Sequence, residues 1–288
     1  PTPVPSNQTG PQGLKILLDT LFNHPNSGPF IAKQLIQRLV ASNPSAAYVY
    51  RVAKVFANDD TGTRGNLGAV VRAILTDYEA RSPDVVGNFG YGKIKEPIVR
   101  VTALMRLVNF AAPNGRYLDS FFSTPVAPAL QFYPSSFFSG PDYSTGQAPM
   151  YSPTVFNSFS PFYSPPGAMA AAGLVAPELE ITDSTYSIQV PNQLLNIISP
   201  YLPRQVPPPS GPSPYLVPDF AAFLPNARNP NALVDQFNLL LCANQMTAAT
   251  RAQIVTTLNS LPAAATDLER VKTALQLAAV SPDSALQK

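Results

Sequence analysis

The sequence predicts a mainly α fold: an irregular multi-helix domain with long proline-rich, aromatic-rich coil segments and little or no sheet. Three observations carry this expectation. Apolar residues near both ends recur at i, i+3, i+4 and i+7, the period of one helix face. Almost no stretch alternates apolar and polar residues long enough to make a half-buried strand. Proline and aromatic residues crowd the middle of the chain, where charge nearly vanishes.

At 288 residues the chain is long enough for one large domain or two small ones. Residues 1–11 open with Pro1-Thr2-Pro3-Val4-Pro5 and read as an extended arm. Residues 12–288 read as a single domain in three zones: helical over 12–110, irregular coil over 111–228, and helical again over 229–288.

In the first zone Leu14, Leu17, Leu18 and Leu21 form one helical stripe, which Pro25 and Pro29 interrupt. Ile31, Leu35, Ile36, Leu39 and Val40 make the next stripe, with Lys33, Gln34, Gln37 and Arg38 opposite. Asn43-Pro44 stops that helix, and Ser45 is a natural N-cap for a third carrying Tyr48, Val49, Val52, Val55 and Phe56. After the loop from Asn58 to Gly65, Leu67, Val70, Val71, Ile74 and Leu75 give a fourth. A fifth starts at Pro97, where a missing N–H costs nothing, and carries Ile98, Val101, Leu104, Met105 and Val108.

The middle zone holds 21 of the 33 prolines between Ala111 and Pro225, and 13 of the 28 aromatic residues between Tyr117 and Tyr163. Asp142 is its one charge between Ser120 and Pro177. Disordered chains show the opposite balance, so the zone is expected to be ordered coil packed by its aromatic residues. Short helices are expected over Ala168–Ala172 and within Thr182–Ser199, the latter interrupted by Pro191. Pro200–Pro218 reads as the mobile stretch. In the last zone Leu233, Val234, Phe237, Leu240 and Leu241 form a stripe, and Thr247 caps a helix carrying Ile254, Val255 and Leu258. Thr266 and Glu269 have the spacing of a capping box ahead of Leu268, Val271, Leu275 and Ala278.

Composition excludes several classes of function. The net charge of +2 provides no electrostatic footprint for nucleic acid. The single cysteine, Cys242, makes no internal disulfide, and the single histidine, His24, builds no multi-histidine metal site. No apolar run approaches the ~18 residues of a membrane span. The sequence does not begin with Met and shows no signal peptide, so it reads as a piece of a longer chain, and any export signal would lie on the missing part.

The run from His24-Pro25-Asn26-Ser27-Gly28-Pro29-Phe30 through Ile31-Ala32-Lys33-Gln34-Leu35 to Ser42-Asn43-Pro44-Ser45 is too specific for a generic helix. Gly65-Asn66-Leu67-Gly68 through Glu79-Ala80-Arg81 follows, and then Phe89-Gly90 with Lys95-Glu96-Pro97-Ile98-Val99-Arg100. Gly146-Gln147-Ala148-Pro149, Ser152-Pro153-Thr154-Val155-Phe156-Asn157 and Pro165-Pro166-Gly167 come next, with Ser281-Pro282-Asp283 near the end. In this order the segments resemble the bacterial family known as domain of unknown function 1800, and its C-terminal portion in particular. The resemblance implies an exported bacterial protein, often encoded beside a sulfatase-like family of equally unknown role (domain of unknown function 1501). It implies no catalytic residues.

Four places in the sequence could carry chemistry, and each has a structural alternative. His24 could be a general base or ligand, or a histidine that bonds the backbone of a turn. Asn58 and Asp60, in Asn58-Asp59-Asp60-Thr61-Gly62-Thr63, are spaced like part of a calcium loop that lacks its late bidentate Glu, or they shape a polar turn. Glu96, Arg100 and Arg106 could line a charged groove for an acidic or glycan ligand, or Glu96 and Arg100 could form an i,i+4 ion pair. Tyr143, Gln147, Tyr151, Phe156, Asn157, Phe159, Phe162 and Tyr163 could form an interaction surface, or could anchor loops to the core. No phosphate loop, nucleophile elbow or paired-cysteine motif is present, and no cofactor is implied.

The leading expectation is a non-catalytic, extracytoplasmic structural or interaction component within an assembly. Its partner would be its own N-terminal portion, identical copies, or a sulfatase-like exported protein. The alternative is an enzyme or glycan-binding component whose site a missing N-terminal half completes.

Overall fold

The computed structural model describes residues 5–88, 90–111, 145–147, 152–199 and 217–288. Most of the aromatic coil, with Tyr143 and Tyr151, and the Pro200–Pro218 stretch apart from its last two residues lie outside these. The described residues are mainly α, with 13 α-helices and one two-stranded sheet of β1 (Lys93–Ile94) and β2 (Leu286–Gln287). Chain contacts divide them into two compact units.

The first unit comprises residues 1–93 and 168–175 with Lys288. It contains α1 (Gly10–Asn23), α2 (Ser27–Leu39), α3 (Ala46–Ala57), α4 (Leu67–Thr76) and the single turns α5 (Tyr78–Arg81) and α6 (Pro83–Val86). Ser45 caps α3 as expected, its hydroxyl accepting from the Tyr48 N–H at 3.1 Å. Asn66 does the same for α4 through the Ala69 N–H. Pro29 does not break the chain: it sits in the first turn of α2, where a helix needs no donor. The core forms where the stripes of α2, α3 and α4 meet, with Ile36, Tyr48, Val52, Val70 and Ile74 fully buried. Gly28 lets α2 approach α3, since a Cβ there would stand 3.2 Å from the Phe56 ring. The four-residue helix α8 (Ala168–Ala171) also belongs to this unit. Beyond it, both amide atoms of Asn43 bond the backbone of Val175, at 2.8 and 2.9 Å.

The second unit comprises residues 94–167 and 176–287. It holds α7 (Pro97–Leu107), α9 (Tyr186–Ile198), α10 (Pro230–Cys242), α11 (Ala248–Ser260), α12 (Asp267–Val280) and the turn α13 (Pro282–Ala285). Its core joins Leu104 of α7, Leu194 and Ile197 of α9, Phe237 of α10, Leu258 of α11 and Leu275 of α12. The capping box at Thr266 and Glu269 is formed in full. Pro191 does not interrupt α9, which runs unbroken through it. The helix loses only the bond that residue 191 would donate to Ser187, and Ser187 is exposed, so water can serve its carbonyl.

Candidate functional site

A cavity with room for about 130 Å³ opens in the second unit. Its walls are largely aliphatic: Val99 and Leu104 from α7, Leu194 from α9, and Leu240 from α10. Two cations enter this apolar setting, Lys95 from the segment before α7 and Arg100 from its first turns. Each is held by the end of a helix. Lys95 Nζ donates to the carbonyl of Leu241 at 2.7 Å, in the last turn of α10. An Arg100 guanidinium N–H donates to the carbonyl of Ala279 at 3.1 Å, in the last turn of α12. Helix C-termini carry unpaired carbonyls and a partial negative charge, so both contacts are favourable.

Neither cation has a carboxylate in ion-pair range among the described residues. Glu96 does not pair with Arg100. Its carboxylate instead accepts from the Gln147 amide at 2.7 Å, while Gln147 Oε1 accepts from the Ile98 N–H at the start of α7. Burial pushes the Lys95 ammonium below the usual lysine range, against an opposing effect of Cys242. Burial also lowers the Arg100 value. Beside them, burial pushes the Cys242 thiol up to about 11.

The residues singled out in the sequence are dispersed over the two units. His24 is exposed and turns the chain between α1 and α2: its Nδ1 accepts from the Asn26 N–H at 3.1 Å, and its carbonyl accepts from Ser27 and Arg64. Among the described residues no nucleophile or carboxylate is bonded to its ring. Asn58 Oδ1 accepts from the backbone of Asp60 and Gly62, an Asx turn that shapes its own loop. Asp60 takes a left-handed backbone in that loop, at φ 70°. The neighbouring Asp59 carboxylate accepts from Thr61, Thr63 and Asn66, bonds that hold it well below the ordinary carboxylate range. No group of three or more metal-ligating side chains occurs among the described residues.

The aromatic coil is split between interior and surface. Phe159 is buried, and Gln147 is buried too, its amide spent inside the chain rather than on an outer surface. Phe156 and Phe162 meet edge to face at 6.0 Å and stay exposed. Asn157 sits in a left-handed turn and bonds Ser152. The Tyr163 carbonyl accepts from the Ala176 N–H.

Residues 3–286 match the family described as protein of unknown function, DUF1800. The chain belongs to this family. No curated protein and no solved structure matches it. What sequence reasoning missed in this DUF1800 chain is the pairing of Lys95 with Arg100. Glu96 and Arg100 have the spacing of a helical ion pair, and Lys95 carried no signal because its acceptor lies 146 residues away.

Proposed function

We propose that this chain is a non-catalytic, extracytoplasmic structural or interaction component that works within an assembly. The observation that carries the proposal is the surface of α1. Leu14, Leu17, Leu18 and Leu21 form its apolar stripe, and each is more than half exposed. No residue of this 14-residue helix is buried. A helix of that length is marginal alone in water and draws its stability from packing an apolar face. Contiguous exposed leucines of this kind mark surfaces that another chain covers. A charge content of 12% adds little to keep such a surface solvated. The extracytoplasmic assignment rests on the family likeness. The stripe is met by the chain's own N-terminal portion or by an identical copy.

Native mass spectrometry and light scattering test this reading. The wild-type chain should associate at micromolar concentration or retain a partner from its source. A Leu17→Asp, Leu18→Asp double variant should be monomeric and lose at most the helicity of α1, because both side chains face solvent and neither belongs to a core. A wild-type chain that stays monomeric and partner-free at high micromolar concentration overturns it.

A further inference from the structure

We propose that the cavity around Lys95 and Arg100 binds a small aliphatic carboxylate, its head on the two cations and its tail against the leucine and valine walls.

Geometry is the first support. Lys95 has three N–H donors and Arg100 has five, and each spends one on a helix-end carbonyl. The rest belong to two side chains that line the same cavity. A guanidinium fork beside an ammonium matches the two oxygens of a carboxylate.

Charge is the second. Two cations line one cavity, with no carboxylate in ion-pair range among the described residues. Neither of the titratable groups nearby, Cys242 and Asp283, is bonded to either cation. Cys242 is held as the neutral thiol, and the Asp283 carboxylate accepts from the Thr247 N–H and hydroxyl, at 3.1 and 3.0 Å. The Ser284 hydroxyl, also on the cavity wall, donates within its own turn to the Ala279 and Ser281 carbonyls. An anion supplies the counter-charge that no described carboxylate brings within ion-pair range.

The walls set the ligand's body. Aliphatic side chains dominate the lining, which disfavours a fully hydrated ion such as inorganic phosphate. The volume suits a molecule of a few heavy atoms.

The test uses the whole chain, with methyl-labelled Val and Leu followed by NMR during titration with acetate, butyrate, hexanoate, butyramide and inorganic phosphate. Butyrate or hexanoate should give saturable shifts confined to Val99, Leu104, Leu194, Leu240 and Leu241, and should bind more tightly than acetate. Butyramide should not bind. Lys95→Gln and Arg100→Gln should each weaken butyrate about tenfold or more, the scale of one lost charge-assisted hydrogen bond. Either variant could unfold, because each side chain also caps a helix, so the comparison of acid with amide on the wild-type chain stands by itself. Equal binding of butyramide, binding of phosphate alone, or no saturable shift with any acid overturns the proposal. So does butyrate affinity unchanged in a folded Lys95→Gln, Arg100→Gln double variant.

Discussion

The Tyr48 hydroxyl donates to the main-chain carbonyl of Ile74 at 2.6 Å, and both side chains are fully buried. This bond ties α3 to the C-terminal end of α4 at the centre of the first unit. Tyr48→Phe keeps the ring and loses the bond. It should lower stability by about 1–2 kcal/mol in urea denaturation. Tyr91 is the contrast, since its buried hydroxyl has no hydrogen-bond partner among the described residues. Tyr91→Phe should leave stability unchanged or raise it.

The same two phenols set an alkaline limit. Burial raises both pKa values, that of Tyr91 to about 12. A raised folded value means the fold favours the neutral phenol. That contribution is complete below the unfolded value near ~10 and is lost as pH rises through the folded values. Thermal melts of the wild-type chain should therefore fall above about pH 10. A double Tyr48→Phe, Tyr91→Phe variant should show a flatter decline. Parallel declines for the two proteins would refute this.

Acid acts through a different pair. Asp77 accepts from Arg51 Nε and from one of its terminal nitrogens, both at 2.7 Å, and the Arg51 bonds hold its carboxyl below the usual range. A depressed folded value gives stability that is present above the unfolded value near ~3.9 and is lost as pH falls through the folded one. Arg51 is 44% exposed, so solvent screens the pair and its contribution is about 1 kcal/mol or less. Asp77→Asn should cost that amount at neutral pH. It should also remove part of the wild-type decline in stability below about pH 4, as read by circular dichroism across a pH series.

Gly65 has φ +76°, and a Cβ on it would lie 2.6 Å from the Phe22 ring. Gly65→Ala should cost about 1 kcal/mol or more in thermal unfolding, from backbone strain and the displaced ring together. The Arg64 guanidinium, 5.6 Å from the Phe22 ring and 5.1 Å from that of Phe56, should move with it. Gly62, also at positive φ but with open space around it, should cost less when changed to Ala.

Pro191→Ala offers a gain. The substitution restores a donor for the exposed Ser187 carbonyl inside α9 and removes the ring from the helix interior. Stability should rise, by up to about 1 kcal/mol, because the freer unfolded chain offsets part of the benefit. A fall in melting temperature would show that the proline ring packs better than the helix bond it displaces.

Helices were legible in the sequence where the signals are local. Ser45, Thr247 and Thr266 each cap within three residues, and the apolar stripes of α2, α3, α4, α7, α10 and α12 repeat within a turn or two. The turns α5 and α6 went unseen, because four residues are too few to show a period. Pro191 misled because its cost depends on whether the orphaned carbonyl meets water, and that is a tertiary property. The cavity escaped for the same reason: Lys95 and Arg100 take their acceptors from helices 146 and 179 residues further along the chain. The division into two units was equally hidden. It falls before α7, whereas the change in composition comes after that helix.

Cys242 closes α10 inside the second unit, and the chain has no other cysteine. A thiol that is buried and stays protonated near neutral pH is a poor nucleophile. An alkylating reagent therefore reaches it only when that unit opens. The residue thus serves as a built-in clock for local unfolding. Labelling rates at Cys242 time the opening of the second unit alone, and circular dichroism follows both units together. If the two traces separate under denaturant, the units unfold independently. If they coincide, the units unfold as one.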